Sequence, residues 1–128
     1  RLMKQKDELG VVADQVGSPT STHSLVALLL TTLGQEIKPG IYHWTDGASI
    51  SWYEFAQAIQ QEAIDQGLLR RKIPIKPLTT EEYSATAVRP QYSVMDRSKT
   101  LSDIGMQPTD WQQELRLVIK RIAKRTEE

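Results

Sequence analysis

Apolar positions recur at three- to four-residue spacing through most of the longer segments, and alternate only briefly, which predicts a helix-rich chain with a few short strands. Residues 1–9 read as the tail of a helix, with Leu2, Met3 and Leu9 apolar and Gly10 as its stop. Residues 10–13 form a short strand. A helix over 21–33 carries Leu25, Val26, Leu28, Leu29, Leu30 and Leu33 around much of its circumference, so it is expected to be buried. Residues 41–45 are aromatic and β-branched and read as a strand. Ser51 and Glu54 form a capping box that starts a helix reaching about Gln66. Its inward face is Trp52, Phe55, Ala56, Ile59 and Ala63. Residues 73–78 contain Pro74 and Pro77 and can be at best an edge strand. Thr79 and Glu82 cap a single helical turn. Residues 83–94 have no helical period. A short helix over 96–104 turns Leu101 and Ile104 inward. A last helix places Trp111, Leu115, Val118, Ile119 and Ile122 on one side and Lys120, Arg121, Lys124 and Arg125 on the other, with Thr109 to Gln112 as its capping box.

The stretch that organises these elements is residues 14–20, Asp-Gln-Val-Gly-Ser-Pro-Thr. It joins a strand end to a helix start, so it gathers polar groups at one place. Asp14 and Gln15 leave the strand, Gly17 opens backbone conformations closed to other residues, and Pro19 fixes the next φ. Thr20, Ser21 or Thr22 can cap the helix, whose free N–H groups suit an anion. A plain strand–turn–helix connection draws on the same residue types.

Composition narrows the function classes. The 128 residues suffice for one domain with a core of its own. Hydrophobic residues at 39% and charged residues at 25% describe a folded globular chain. Sixteen basic and sixteen acidic side chains cancel, leaving no global field to draw in nucleic acid or an acidic membrane. Cysteine is absent, which removes disulfides, cysteine zinc sites and a thiol nucleophile, and suits a reducing, cytoplasmic setting. No apolar run approaches the length of a membrane span. The chain opens at Arg1, inside what reads as a helix with no cap, so a fragment of a longer protein is expected.

The catalytic inventory is thin. His23 and His43 have no metal-binding spacing, and His43 reads as a half-buried packing residue. No glycine-rich dinucleotide or triphosphate loop occurs, and no Gly-x-Ser-x-Gly elbow. Three basic residues at 70–72 read as a solvated cluster. Arg89 is a guanidinium in a polar, non-helical segment, fit either for bidentate phosphate binding or for a surface ion pair. The tryptophans read as core, with Trp44, at a strand end, the one that could also serve as a stacking platform.

Three ordered blocks resemble the C-terminal part of the dTDP-4-dehydrorhamnose reductases, which are extended short-chain dehydrogenase/reductases. Residues 14–20 resemble their Asp-Gln-x-Gly-x-Pro-Thr. Gly40-Ile41-Tyr42-His43-Trp44 with Ser51-Trp52-Tyr53-Glu54-Phe55-Ala56 resembles their Gly-x-Tyr-His strand and Ser-Trp-Tyr-x-Phe-Ala helix start. Ile75-Lys76-Pro77 through Thr86-Ala87-Val88-Arg89-Pro90 and Ser93 resembles a third block, Pro-Thr-Ala-x-Arg-Pro-x-x-Ser. The resemblance implies an α/β fold: a small, helix-rich substrate-binding lobe over residues 1–128, detached from an N-terminal Rossmann domain. That domain would bind NADPH, or NADH, and supply the Tyr-x-x-x-Lys pair. Neither Tyr53 nor Tyr83 has a lysine four residues on, so no catalytic residue and no cofactor site is assigned to this chain.

By similarity to extended reductases and epimerases, a nucleotide diphosphate would lie against this lobe. Arg89 stands where such enzymes place a phosphate-binding arginine, and Asp14 and Gln15 occupy the strand end nearest the cleft. The implied activity of the intact protein is reduction of dTDP-4-dehydrorhamnose to dTDP-rhamnose. Partners are then the dTDP-sugar, the Rossmann domain and a possible second copy, with no nucleic acid and no membrane. Two departures stand out. Ser84 replaces a proline common in the family. Gln5 and Arg121 stand where some members carry magnesium-bridging glutamates, so no metal-bridged dimer is carried over. The regulatory subunit of methionine adenosyltransferase resembles the same reductases, and a nucleotide-sugar epimerase or dehydratase is a third reading.

Overall fold

The computed structural model describes residues 1–84 and 87–127, with side chains to Arg125. In chain order the elements are α1 (Leu2–Gln5), β1 (Leu9–Val12), β2 (Val16–Gly17), α2 (Thr22–Leu33), β3 (Ile50–Ser51), α3 (Trp52–Asp65), β4 (Ile75–Leu78), α4 (Thr80–Tyr83), α5 (Ser98–Ile104) and α6 (Trp111–Glu127). The result is a helix-rich α/β fold with two two-stranded sheets.

The first sheet pairs β1 and β4 in parallel, Leu9 opposite Ile75 and Val12 opposite Leu78. Its ladder is compatible with both prolines. Pro74 contributes only its carbonyl, which accepts from Leu9 N at 3.0 Å, and Pro77 sits on an edge strand where a missing N–H costs no partner. The entry to β4 is locked by Gln60 of α3. Its Nε2 donates to the Ile73 carbonyl at 3.1 Å, and its Oε1 accepts from Ile73 N at 2.7 Å. Both groups are buried, so each bond spares a desolvated amide.

The second sheet lies inside the stretch read above as a turn. Val16 and Gly17 pair antiparallel with Ser51 and Ile50. On the other side Val16 N donates to the Gln91 carbonyl at 2.8 Å, and Ser93 N donates to the Val16 carbonyl at 2.9 Å. Two distant segments therefore meet on two residues. Gly17 is required there for room, not for an unusual φ: a Cβ would lie 3.0 Å from Ser93 Oγ and 3.7 Å from the Trp52 ring. That corrects the conformational role expected of it.

Two buried clusters hold the helices. Leu28 of α2, Trp44 and Ile104 of α5 form one, and Ala63 of α3, Leu69 and Ile119 of α6 form the other, with Met3, Ile59 and Leu115 packed around it. Burial of each large aliphatic side chain is worth about 1.5–3 kcal/mol. Here α2 departs from expectation. Only Ser24 and Leu28 are buried, and Leu25, Val26, Leu29, Leu30 and Leu33 face outward, because the residues packed on Leu28 come from one side.

Residues 41–45 also depart. They join no strand. Side chains from the region of α5 take their carbonyls instead: Thr100 Oγ1 donates to His43 O at 2.6 Å, and Arg97 Nη1 to Thr45 O at 2.7 Å. His43 is exposed, while Trp44 is 6% exposed and donates from Nε1 to Ser24 Oγ at 3.1 Å. The cap of α6 is Asp110, whose Oδ1 accepts from Gln112 N and Gln113 N, and not Thr109. Thr109 instead donates to buried Asp46 at 2.8 Å.

Candidate functional site

The helix N-terminus at α2, which could have received an anion, is already closed. Ser21 caps it through Ser24 N, and the Asp46 carboxylate accepts from Ser21 N. A fixed carboxylate there satisfies the helix dipole from within the protein. The polar groups of the opening stretch are used elsewhere.

Asp14 and Gln15, leaving the end of β1, converge on one residue, Thr80, at the start of α4. Thr80 N donates to Asp14 Oδ2 at 2.9 Å and Thr80 Oγ1 to Asp14 Oδ1 at 2.8 Å. Gln15 Nε2 donates to Thr80 Oγ1 at 3.1 Å. The Thr80 backbone and then its hydroxyl, both donating to the ionised carboxylate, hold the Asp14 pKa below the ordinary aspartate value. A depressed folded-state pKa stabilises the fold above the unfolded pKa, and that contribution is lost as pH falls through the folded value. Thr80→Val removes one donor, so the Asp14 pKa is expected to move up toward the ordinary value. Carboxyl NMR titration of the variant and the parent checks this; coincident titration curves would contradict it.

A hollow of about 340 Å³ opens beside these residues. Its aliphatic wall is β1 with Leu9, Val11 and Val12, and its polar and aromatic wall is Gln15, Trp52, Tyr83 and Arg89. Of the three residues singled out from sequence, Gln15 and Arg89 are thus brought together. Asp14 does not line the hollow and acts on it through α4. Arg89 is exposed, and among the described residues it has no hydrogen bond or ion pair. The segment that follows it is tied to Val16 by a strand-like contact of residues 91–93. Thr86 of the third sequence block lies outside the described residues.

Ser84, the departure from the family pattern, adopts φ +48° and ψ +46° at the C-cap of α4. A proline, locked near −65°, could not take this conformation. The loop toward Arg89 therefore leaves α4 by a route that a proline would forbid.

Sequence reasoning missed Thr80, Tyr83 and Trp52. The spacing of Trp52 puts it on a buried face, yet it is 41% exposed, whereas the possible platform Trp44 is core. The first position of a helix lies beyond the packed stripe, and periodicity alone does not reveal that.

The residues present do not fit a dinucleotide. The one helix that follows a parallel strand closely, α4, has four residues, and its N-terminus is occupied by its own capping box, with Glu82 Oε2 accepting from Thr79 N at 2.7 Å. A carboxylate stands where a pyrophosphate would need to be. Among the described residues no group of three or more His, Asp or Glu side chains is arranged to hold a metal.

The family model described as the RmlD substrate binding domain matches residues 1–124. The chain belongs to that family. It is 40% identical over 121 residues to a dTDP-4-dehydrorhamnose reductase of Aggregatibacter actinomycetemcomitans, covering 91% of this chain and 41% of the relative. The spore coat polysaccharide biosynthesis protein SpsK of Bacillus subtilis is 40% identical over 116 residues, 91% of this chain and 38% of its own. Among solved structures, the Bacillus anthracis dTDP-4-dehydrorhamnose reductase in complex with NADP superposes with a TM-score of 0.80 at 35% identity, over 91% of this chain and 39% of that one. The Clostridium acetobutylicum dTDP-4-dehydrorhamnose reductase gives 0.79 at 35% identity, over 94% and 41%. This RmlD substrate binding domain thus spans about two-fifths of the length of the relatives it matches. No helix among its described residues is long and apolar enough to cross a membrane.

Proposed function

We propose that this RmlD substrate binding domain, residues 1–128, is the part of a cytoplasmic reductase that holds a dTDP-sugar while the remaining polypeptide reduces it. The observation that carries this reading is the Arg89 guanidinium, without a partner among the described residues, on the wall of a hollow it shares with the buried Gln15 amide. A guanidinium left without a carboxylate, beside an apolar wall, matches a diphosphate attached to a nucleoside. Arg89 binds the diphosphate, Gln15 contacts the substrate, and Asp14 sets the position of α4 through Thr80. In this reading an N-terminal Rossmann domain binds NADPH, or NADH, and carries out hydride and proton transfer to the 4-keto group of dTDP-4-dehydrorhamnose. The domain here contributes orientation, using binding energy remote from the reacting carbon. The cleft between the two domains is where product and substrate exchange; a second copy is a possible further partner.

Titration of dTDP into the chain, followed residue by residue by NMR, is expected to shift Gln15, Tyr83, Trp52 and Arg89 first. Shifts confined to another face would refute the assignment. The chain alone is expected to show no turnover of dTDP-4-dehydrorhamnose with NADPH, read as nicotinamide absorbance; any steady oxidation above the enzyme-free rate would show that reductive chemistry resides in this domain.

A further inference from the structure

We propose that Trp52 and Gln15 form the hexose subsite of the hollow, and that the Trp52 indole sets specificity for the sugar and not for the nucleotide. This rests on the dTDP-sugar reading above. Trp52 is the first residue of α3, and it is fixed from several sides. Its backbone N donates to the Gln15 carbonyl at 3.3 Å, and its ring lies close beside Gly17. Phe55 packs behind it with ring centroids 6.3 Å apart, and Phe55 is in turn backed by Trp111 at 6.0 Å. The capping box of Ser51 and Glu54 anchors the helix start beneath it. A large aromatic side chain held this firmly yet 41% exposed is an unsatisfied contact surface. Its Nε1 donates to no described residue.

Gln15 supplies the second half. It is 4% exposed and its Nε2 is committed to Thr80. Its Oε1 accepts from no described residue, and Gln15 lines the hollow, so the amide oxygen is available as an acceptor there. A flat indole beside one amide acceptor matches a pyranose, which has a C–H-lined face and a hydroxyl rim. The aliphatic stretch of β1 lies at the other wall and lacks such polar atoms in its side chains. Residues 91–93 are bonded to Val16, next to Gln15, and Arg89, just before them, lines the same hollow as Trp52.

The test compares two ligands, dTDP and dTDP-rhamnose, by calorimetry on the intact protein that carries this chain. Trp52→Ala is expected to raise the Kd for dTDP-rhamnose about tenfold while leaving that for dTDP within about twofold. Trp52→Phe is expected to retain most of the sugar affinity, which also guards against a folding defect in the alanine variant. Equal losses for both ligands, or no loss for either, would overturn the proposal. Arg89→Ala separates the two readings. A loss for both ligands supports the diphosphate assignment, whereas no loss for either, with a sugar-selective effect of Trp52→Ala, removes the role of Arg89 and leaves the hexose subsite standing.

Discussion

Arg89→Ala in the intact protein is expected to weaken dTDP binding by about 1.5–3 kcal/mol, the range for a hydrogen bond to a charged group. That corresponds to roughly a 10- to 150-fold rise in Kd. The expectation follows from what surrounds the guanidinium. It has no partner among the described residues, so its removal breaks no internal ion pair, and its exposure makes the fold insensitive to its loss. Binding should fall while stability is unchanged, and Arg89→Lys should recover only part of the affinity, since an ammonium lacks the planar fork. Calorimetric titration of dTDP decides it. An unchanged dissociation constant would mean that the hollow recognises its ligand without this residue.

Trp44→Ala is expected to cost about 3–5 kcal/mol of folding stability, the range for a large aromatic lost from a packed core. Trp44 sits between Leu28 and Ile104, so it joins α2 to α5. Its Nε1 also satisfies buried Ser24 Oγ, and Arg97 lies over the ring with its guanidinium carbon 5.7 Å from the centroid. Alanine would leave a cavity, remove a buried hydrogen-bond donor, and release the side chain that ties Thr45 to Thr109 through Arg97. Urea unfolding with an unchanged slope would report the loss directly. A loss under about 1 kcal/mol, well below the range for such substitutions, would show that α2 and α5 are held together by other contacts.

The two substitutions probe different layers of the same molecule. Arg89 is exposed and replaceable by the standards of folding, which is what leaves it free for a ligand. Trp44 is buried and occupied, and its polar atom is already used.

Much of this division was legible in the residues. The helices at 21–33, 51–66 and 111–122 follow from apolar spacing, and the Ser51–Glu54 and Thr79–Glu82 capping boxes are present as read. The parallel partner of β1 was not legible. Residues 73–78 carry two prolines, and only the placement of Gln60 beneath Ile73 and the acceptance of bonds by proline carbonyls make them a strand. The strand expected at 41–45 failed for the converse reason. Its β-branched and aromatic residues suit an extended backbone, but their carbonyls are taken by Thr100 and Arg97, whose proximity depends on the whole fold.

The stretch at 14–20 shows the same boundary at the site. Residue type alone determined that a strand would end there, that a hydroxyl side chain at 20–22 would cap the next helix, and that polar groups would gather between them, because these depend on backbone geometry within a few residues. Tertiary structure decided what those groups do. Asp14 and Gln15 meet Thr80, sixty-six and sixty-five positions away, Val16 receives residues 91–93, and Asp46 fills the helix end. Exposure is the last such property. Trp44 and Trp52 are the same residue type, and only the packing of α2, α3 and α5 makes one a core residue and leaves the other facing the hollow.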